Sequence, residues 1–131
     1  MVVYKNFNIE SARSLPNVPK THPCYNMHGH SFKIKISVKQ KIDKTTGFVI
    51  DFQEIEDAFH PIMEILDHKY LNDIEGLNNP TSENICIWIW KKLKPSLPDI
   101  YEVEIKETAT IVLLATPMIH CGHSVKVVAV I

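Results

Sequence analysis

The chain alternates most cleanly at residues 32–39, where Phe32, Ile34, Ile36 and Val38 are apolar and Lys33, Lys35, Ser37 and Lys39 are polar. Period-two alternation predicts a half-buried β-strand. Residues 3–10 predict a strand before it, with Phe7 and Ile9 on one face. Asp43-Lys44-Thr45-Thr46-Gly47 has turn chemistry, and Phe48-Val49-Ile50 is expected to form a short strand after it. The period then lengthens. Asp51 followed by Glu54 predicts a capped helix start, with Ile55, Phe59, Ile62 and Leu66 on one face. Pro61 is expected to kink or split this helix. A second helix is predicted to start near Asn79–Glu83, with Ile85, Trp88, Ile89 and Leu93 as its apolar stripe and Pro95 and Pro98 beyond its end. Tyr101, Val103 and Ile105 alternate with Glu102, Glu104 and Lys106, which predicts a further strand. Strands on both sides of a central helical region point to an α+β domain with an antiparallel sheet.

Composition narrows the functional classes. At 131 residues, with no linker, repeat or low-complexity tract, residues 1–131 are expected to fold as one domain around one core. Lys plus Arg is 14 against 15 for Asp plus Glu, a net charge of −1. There is no basic excess to attract nucleic acid or a membrane surface. The longest apolar run, Ile111 to Ile119, is broken by Thr116 and Pro117 and is too short to span a bilayer. Tyr4-Lys5-Asn6 interrupts any signal-peptide pattern, and the 3 Cys are an odd number, so reduced thiols in a cytoplasm are expected. The 7 His leave room for a metal or acid–base site.

Several residues have the right chemistry for such a site. His28 and His30 flank Gly29 and run into the strongest strand, so both share the face of Phe32 and Ile34. Two imidazoles there suit Zn²⁺, or are turn histidines bonded to backbone; catalytic zinc takes three protein ligands. Cys24, just before them, is either an activated thiolate or an ordinary loop thiol. Cys86 falls within the second helix and reads as a small core residue. Asp67 beside His68 is an orienting pair only if the helix ends there, because neighbours on a helix do not face each other. Glu107 continues the odd-numbered register of Tyr101, Val103 and Ile105, which turns its carboxylate inward unless a bulge or strand end returns it to water.

Read together, these segments resemble the bacterial 6-carboxytetrahydropterin synthases, within the wider 6-pyruvoyltetrahydropterin synthase-like family. The resemblance lies in Ser11-Ala12-Arg13-Ser14-Leu15-Pro16, Cys24 through Phe32, Gly47-Phe48-Val49-Ile50-Asp51-Phe52, Leu66 through Asp73, Gly76 through Glu83, and Lys106-Glu107-Thr108, in order over residues 4–108. The three-residue gap between Cys24 and His28 is similar to the carboxy-type enzymes rather than the pyruvoyl type. The resemblance implies a tunnelling fold: a four-stranded antiparallel sheet with two helices on one face, trimerising into a barrel, with trimers stacking into a homohexamer and active sites between subunits. It implies a lyase converting 7,8-dihydroneopterin triphosphate to 6-carboxy-5,6,7,8-tetrahydropterin, acetaldehyde and triphosphate, an early step toward the 7-deazaguanine base of queuosine. It further implies Zn²⁺ on His28 and His30, Cys24 as a base, Asp67 and His68 as a second acid–base unit, and Glu107 on the pterin's pyrimidine edge. Thr81 and Ser82 are candidates for further pterin contacts.

Two departures stand out. The family places a zinc-ligating His where this chain has Arg13, and a guanidinium does not ligate zinc. His22 as substitute third ligand, weak binding through two His, and an empty site all remain open, and so does an Arg13 contact to the triphosphate. A non-catalytic pterin-binding homologue is therefore the competing reading. The segment from Ala109 to Ile131 is also unlike the short polar ending of the family, and reads as an extra strand or a subunit contact, with His120, Cys121 and His123 only weak metal donors.

Overall fold

A long antiparallel pair, β1 (Val2–Arg13) and β2 (His28–Lys39), sets the frame of the computed structural model. The model describes residues 1–107 and the strand backbones of 112–117 and 125–130. Both strands are longer than the alternating pattern predicted, because β1 continues through Ser11 and Arg13 and β2 begins at His28. Their inward faces carry Phe7 and Ile9 from β1 and Phe32, Ile34, Ile36 and Val38 from β2. The connection back to the sheet runs through two helices, α1 (Phe52–Leu66) and α2 (Ser82–Leu93), and then β3 (Ile100–Lys106). β4 (Val112–Pro117) and β5 (Val125–Val130) follow, and all neighbours pair antiparallel in the order β1-β2-β3-β4-β5.

The sheet thus has five strands where four were expected. The atypical tail supplies two of them, β4 and β5, and Val125-Lys126-Val127-Val128-Ala129-Val130 of β5 is rich in β-branched residues that favour extended backbone. The donors His120, Cys121 and His123 lie outside the described residues. Phe48-Val49-Ile50 is not a strand; the Asp43 carboxylate accepts from the N–H groups of Thr45 and Thr46, and Asp43 N–H donates to Phe48 carbonyl at 2.7 Å, closing a compact loop instead. Gly47 there has φ 76°, which a side-chain-bearing residue adopts only with strain.

α1 is one continuous helix despite Pro61. Asp51 caps its start by accepting from Gln53 N–H at 2.9 Å, and the buried residues are Ile55, Phe59, Ile62 and Leu66, the predicted stripe. Thr81 caps α2 by accepting from Asn84 N–H. Ile85, Cys86, Ile89 and Leu93 are buried from that helix, and Cys86 Sγ sits 3.1 Å from the Val103 carbonyl as a core thiol. On β3 a register shift opposite Ser37 and Val38 makes Ile100, rather than Tyr101, the inward partner of Val38. Val103 and Ile105 keep the inward positions predicted for them. Both helices share one apolar core with this face of the sheet, and its buried polar residues Ser11 and Arg13 lie at the end where β1 finishes and β2 starts.

Phe59, fully buried with its ring 4.4 Å from that of Phe7, anchors α1 to β1. Phe59→Ala is expected to lower stability in urea denaturation by about 3–5 kcal/mol. Ile65→Ala, on the exposed side of the same helix, should stay within about 0.5 kcal/mol of the parent.

Candidate active site

Strand register builds the site. Arg13 pairs with His28 and Ser11 with His30 across β1 and β2, so all four side chains follow Ile9 and Phe32 along the inward face. This is the end of the core at which apolar residues give way to charged ones. Glu107, just past β3, turns inward as the alternation required, and its side chain is 15% exposed. Its carboxylate is not left open for a ligand. Arg13 Nη2 donates to Glu107 Oε1 at 2.7 Å, and Ser82 Oγ–H donates to the same oxygen.

Arg13 is the most committed residue of the cluster. It is 3% exposed. Nη1 donates to the Pro80 carbonyl at 3.0 Å and to Ser82 Oγ at 3.1 Å, and Nη2 lies 3.3 Å from His30 Nε2. Its guanidinium also stands 5.3 Å from the Phe32 ring centroid. Among the described residues Nε alone of its nitrogens finds no partner. A buried charge persists only when paired and hydrogen-bonded, and this one is. With its Nη protons directed to protein acceptors, Arg13 has no free fork to offer a triphosphate.

The two histidines face each other edge to face, with ring centroids 4.8 Å apart. His28 Nδ1–H donates to the Asn26 carbonyl at 2.8 Å, which leaves the lone pair on Nε2, and that nitrogen is buried without a partner among the described residues. Burial first, and then the Arg13 guanidinium, hold the His30 pKa below its ordinary value of 6.5. His30 is therefore a neutral acceptor for Arg13 near pH 7.

His22 is placed elsewhere in role. It is exposed and caps the short 3-10 turn Pro23–Tyr25, its Nδ1 accepting from Cys24 N–H at 3.1 Å. Cys24 is a half-buried free thiol in that turn. Among the described residues no group of three His, Cys, Asp or Glu side chains is arranged to hold a metal. The donor set does not fit a three-ligand zinc site: two imidazoles are present, and the third place on the strand pair is filled by a cation already bonded toward one of them.

Asp67 and His68 meet, because the helix ends just before them. α1 ends at Leu66, and Asp67 is its C-cap. Asp67 Oδ2 pairs with His68 Nδ1 at 2.9 Å while Oδ1 accepts from Glu10 N–H at 2.8 Å. The Glu10 N–H, and next His68, hold the Asp67 carboxyl below its ordinary pKa. His68 has φ 55°, a strained value for a non-glycine residue, fixed by its N–H donating to the Glu10 carbonyl at 2.6 Å. Its ring is exposed and lines an open cleft of about 560 Å³ with Glu10, Gly29, His30, Ser31 and Tyr70. Arg13, His28, Ser82 and Glu107 are not on that cleft's wall. Within one chain Arg13, His28, Ser82 and Glu107 thus form one cluster and Asp67 with His68 another, His30 touching both, while His22 and Cys24 lie apart in the Pro23–Tyr25 turn.

The Arg13–Glu107 pair joins residues 94 positions apart and is not evident from the local sequence of either. The signal was available: Arg13 continues the inward odd-numbered register of Phe7 and Ile9, and Glu107 that of Val103 and Ile105. Two opposite charges sent into one core end must meet.

Arg13→Ala leaves Glu107 buried without its cation and is expected to lower stability by about 3–5 kcal/mol in urea denaturation. His30 adds a pH dependence. Its folded pKa lies below its unfolded value, so stability is full above about pH 6.5 and falls as acid protonates the unfolded chain first. The urea midpoint should drop between about pH 7 and 5, and drop less in His30→Gln.

Comparison with known proteins places the chain in a family. Residues 2–116 match the family profile described as 6-pyruvoyl tetrahydropterin synthase. The chain is 40% identical over 115 residues to the 6-carboxy-5,6,7,8-tetrahydropterin synthase of Synechocystis sp., covering 83% of this chain and 88% of that one. It is 39% identical over 90 residues to the 6-pyruvoyl tetrahydrobiopterin synthase of Dictyostelium discoideum, covering 65% of this chain and 67% of that one. The fold is similar to that of Caenorhabditis elegans 6-pyruvoyl tetrahydropterin synthase, with a TM-score of 0.83 over 90% of this chain and 96% of that one at 23% identity. With a profile match spanning most of its length and a near full-length relative at this identity, the chain belongs to the 6-pyruvoyl tetrahydropterin synthase family.

Proposed function

We propose that the chain is a lyase of the 6-carboxytetrahydropterin synthase type, converting 7,8-dihydroneopterin triphosphate to 6-carboxy-5,6,7,8-tetrahydropterin, acetaldehyde and triphosphate on the route to queuosine. The observation that carries the reading is the 40% identity to the Synechocystis enzyme over nearly the whole of both chains. The three-residue spacing from Cys24 to His28 supports the carboxy type over the pyruvoyl type.

In this reading the Cys24 thiolate removes a proton from the substrate side chain. A thiol base needs a reducing compartment, which fits a cytoplasmic enzyme. His68 is the second acid–base group. Asp67 holds Nδ1, so the exchangeable proton or lone pair is presented at Nε2 toward the open cleft. Glu107 anchors the pterin's pyrimidine edge. Arg13 and Ser82 occupy Oε1, so the ligand meets Oε2 or displaces part of that set. Thr81 Oγ1 accepts the α2 capping bond and keeps its own O–H to donate. No step is routed through zinc, because the donors around His28 and His30 do not fit it. The separation of His68's cleft from Glu107's corner supports a homo-oligomer, trimer or hexamer, in which one subunit's cleft completes its neighbour's corner.

Acetaldehyde release from 7,8-dihydroneopterin triphosphate by the purified protein tests the reading. Turnover is expected, with Cys24→Ala lowering kcat by about 10²–10⁴-fold. Asp67→Asn should lower kcat by at least about 10²-fold, with an altered pH profile as His68 loses its oriented tautomer. Pterin binding without any acetaldehyde would overturn the lyase and return the non-catalytic homologue.

A further inference from the structure

The corner where β1 ends contains a cation made of protein. Arg13 is paired across the strands with His28, the neighbouring pair is Ser11 with His30, and the guanidinium bonds toward His30 Nε2 and Glu107 Oε1. The His28 Nε2 lone pair is buried with no partner among the described residues. A divalent ion drawn to this unpaired imidazole would need the His30 Nε2 lone pair as well. Arg13 already takes that lone pair. It would also bring two further positive charges beside a permanent one, with the carboxylate oxygen nearest to it occupied by Arg13 and Ser82.

We propose that Arg13 is the resident cation of this corner, holding Glu107 and His30 as a metal ion would and closing the His28–His30 pair to tight divalent metal binding. Arg13 acts through Glu107 and His30 and is a positioning residue. The inference concerns metal occupancy alone and does not depend on which pterin the protein turns over. Register makes the converse specific: an imidazole at position 13 stands across from His28 on the face that carries His30. Arg13→His therefore assembles three imidazoles at one corner and removes the competing charge in one step.

The experiment is metal retention. Wild-type protein and Arg13→His are incubated with Zn²⁺ or Co²⁺, dialysed against metal-free buffer and assayed for metal per chain, with the Co²⁺ visible spectrum as a report on ligand geometry. The wild type is expected to retain well under about a tenth of an equivalent, and Arg13→His about one, with a tetrahedral Co²⁺ spectrum. Adding His28→Ala to Arg13→His should abolish retention. One equivalent held by the wild type and lost in His28→Ala overturns the proposal, and so does a folded Arg13→His protein that gains no metal. Should Arg13→His not fold, Arg13→His combined with Glu107→Gln removes both charges of the buried pair, and the same retention is read on it. Acetaldehyde release plays no part in this readout, so failure here and failure of the lyase reading are separable.

Discussion

The structure turns on one constraint, that two opposite charges are carried into the end of an apolar core. β1 sends every odd side chain toward the helices, and Arg13 is the last of them. β3 does the same with Val103 and Ile105, and Glu107 follows. Neither group is tolerable there alone, since a lone buried ion is penalised by several kcal/mol, on the order of the stability of a small domain. Together, with Ser82 and the Pro80 carbonyl completing the shell, they tie the end of β1, the start of α2 and the end of β3 to one point. The corner is thus a structural clamp in which three elements share one buried charge pair.

A second set of bonds organises the other cluster. The chain leaving α1 at Asp67 turns sharply through His68 and lies along the edge of β1, with Ala12 N–H donating to the Lys69 carbonyl at 2.9 Å and a parallel bridge between Ala12 and Tyr70. Ser14 and Tyr70 hydroxyls meet at 2.6 Å, and Asn72 bonds Ser14 in both directions. His68 is exposed at its ring, yet its backbone is held by the bond from its N–H to the Glu10 carbonyl. Rigid backbone under a solvent-facing imidazole is what proton transfer needs, because the ring is oriented without being desolvated.

Much of this was legible in the residues. The α1 stripe of Ile55, Phe59, Ile62 and Leu66 follows from period alone, as does the inward face of β2. The helix end that Asp67 and His68 require could be posed from the sequence as a condition, and it is met. Phe48–Ile50 misled because a short apolar run does not say whether it pairs; here the Asp43 side chain satisfies the nearby N–H groups and a loop results. Tyr101 misled because a register shift cannot be read from one strand. Arg13 was recognised as foreign to a metal site, but its partner was not, since pairing is a property of two distant strands and register is invisible in either one. The separation of His68's cleft from Glu107's corner is likewise a property of three-dimensional placement.

The docking of residues 67–70 on β1 also bears on how this chain can meet another. In the sheet β1 is an edge, and its edge-facing groups belong to the even-numbered residues. The stretch at Glu10 and Ala12 is already occupied by the chain's own backbone and the Asp67 carboxylate. The continuation at Val2, Tyr4, Asn6 and Asn8 has no backbone partner along that edge among the described residues. An incoming strand can therefore add at only one half of β1, and its farthest reach is fixed where the internal segment begins. The residues that orient His68 thus also cap that edge, and a strand laid along β1 would have to stop where they begin.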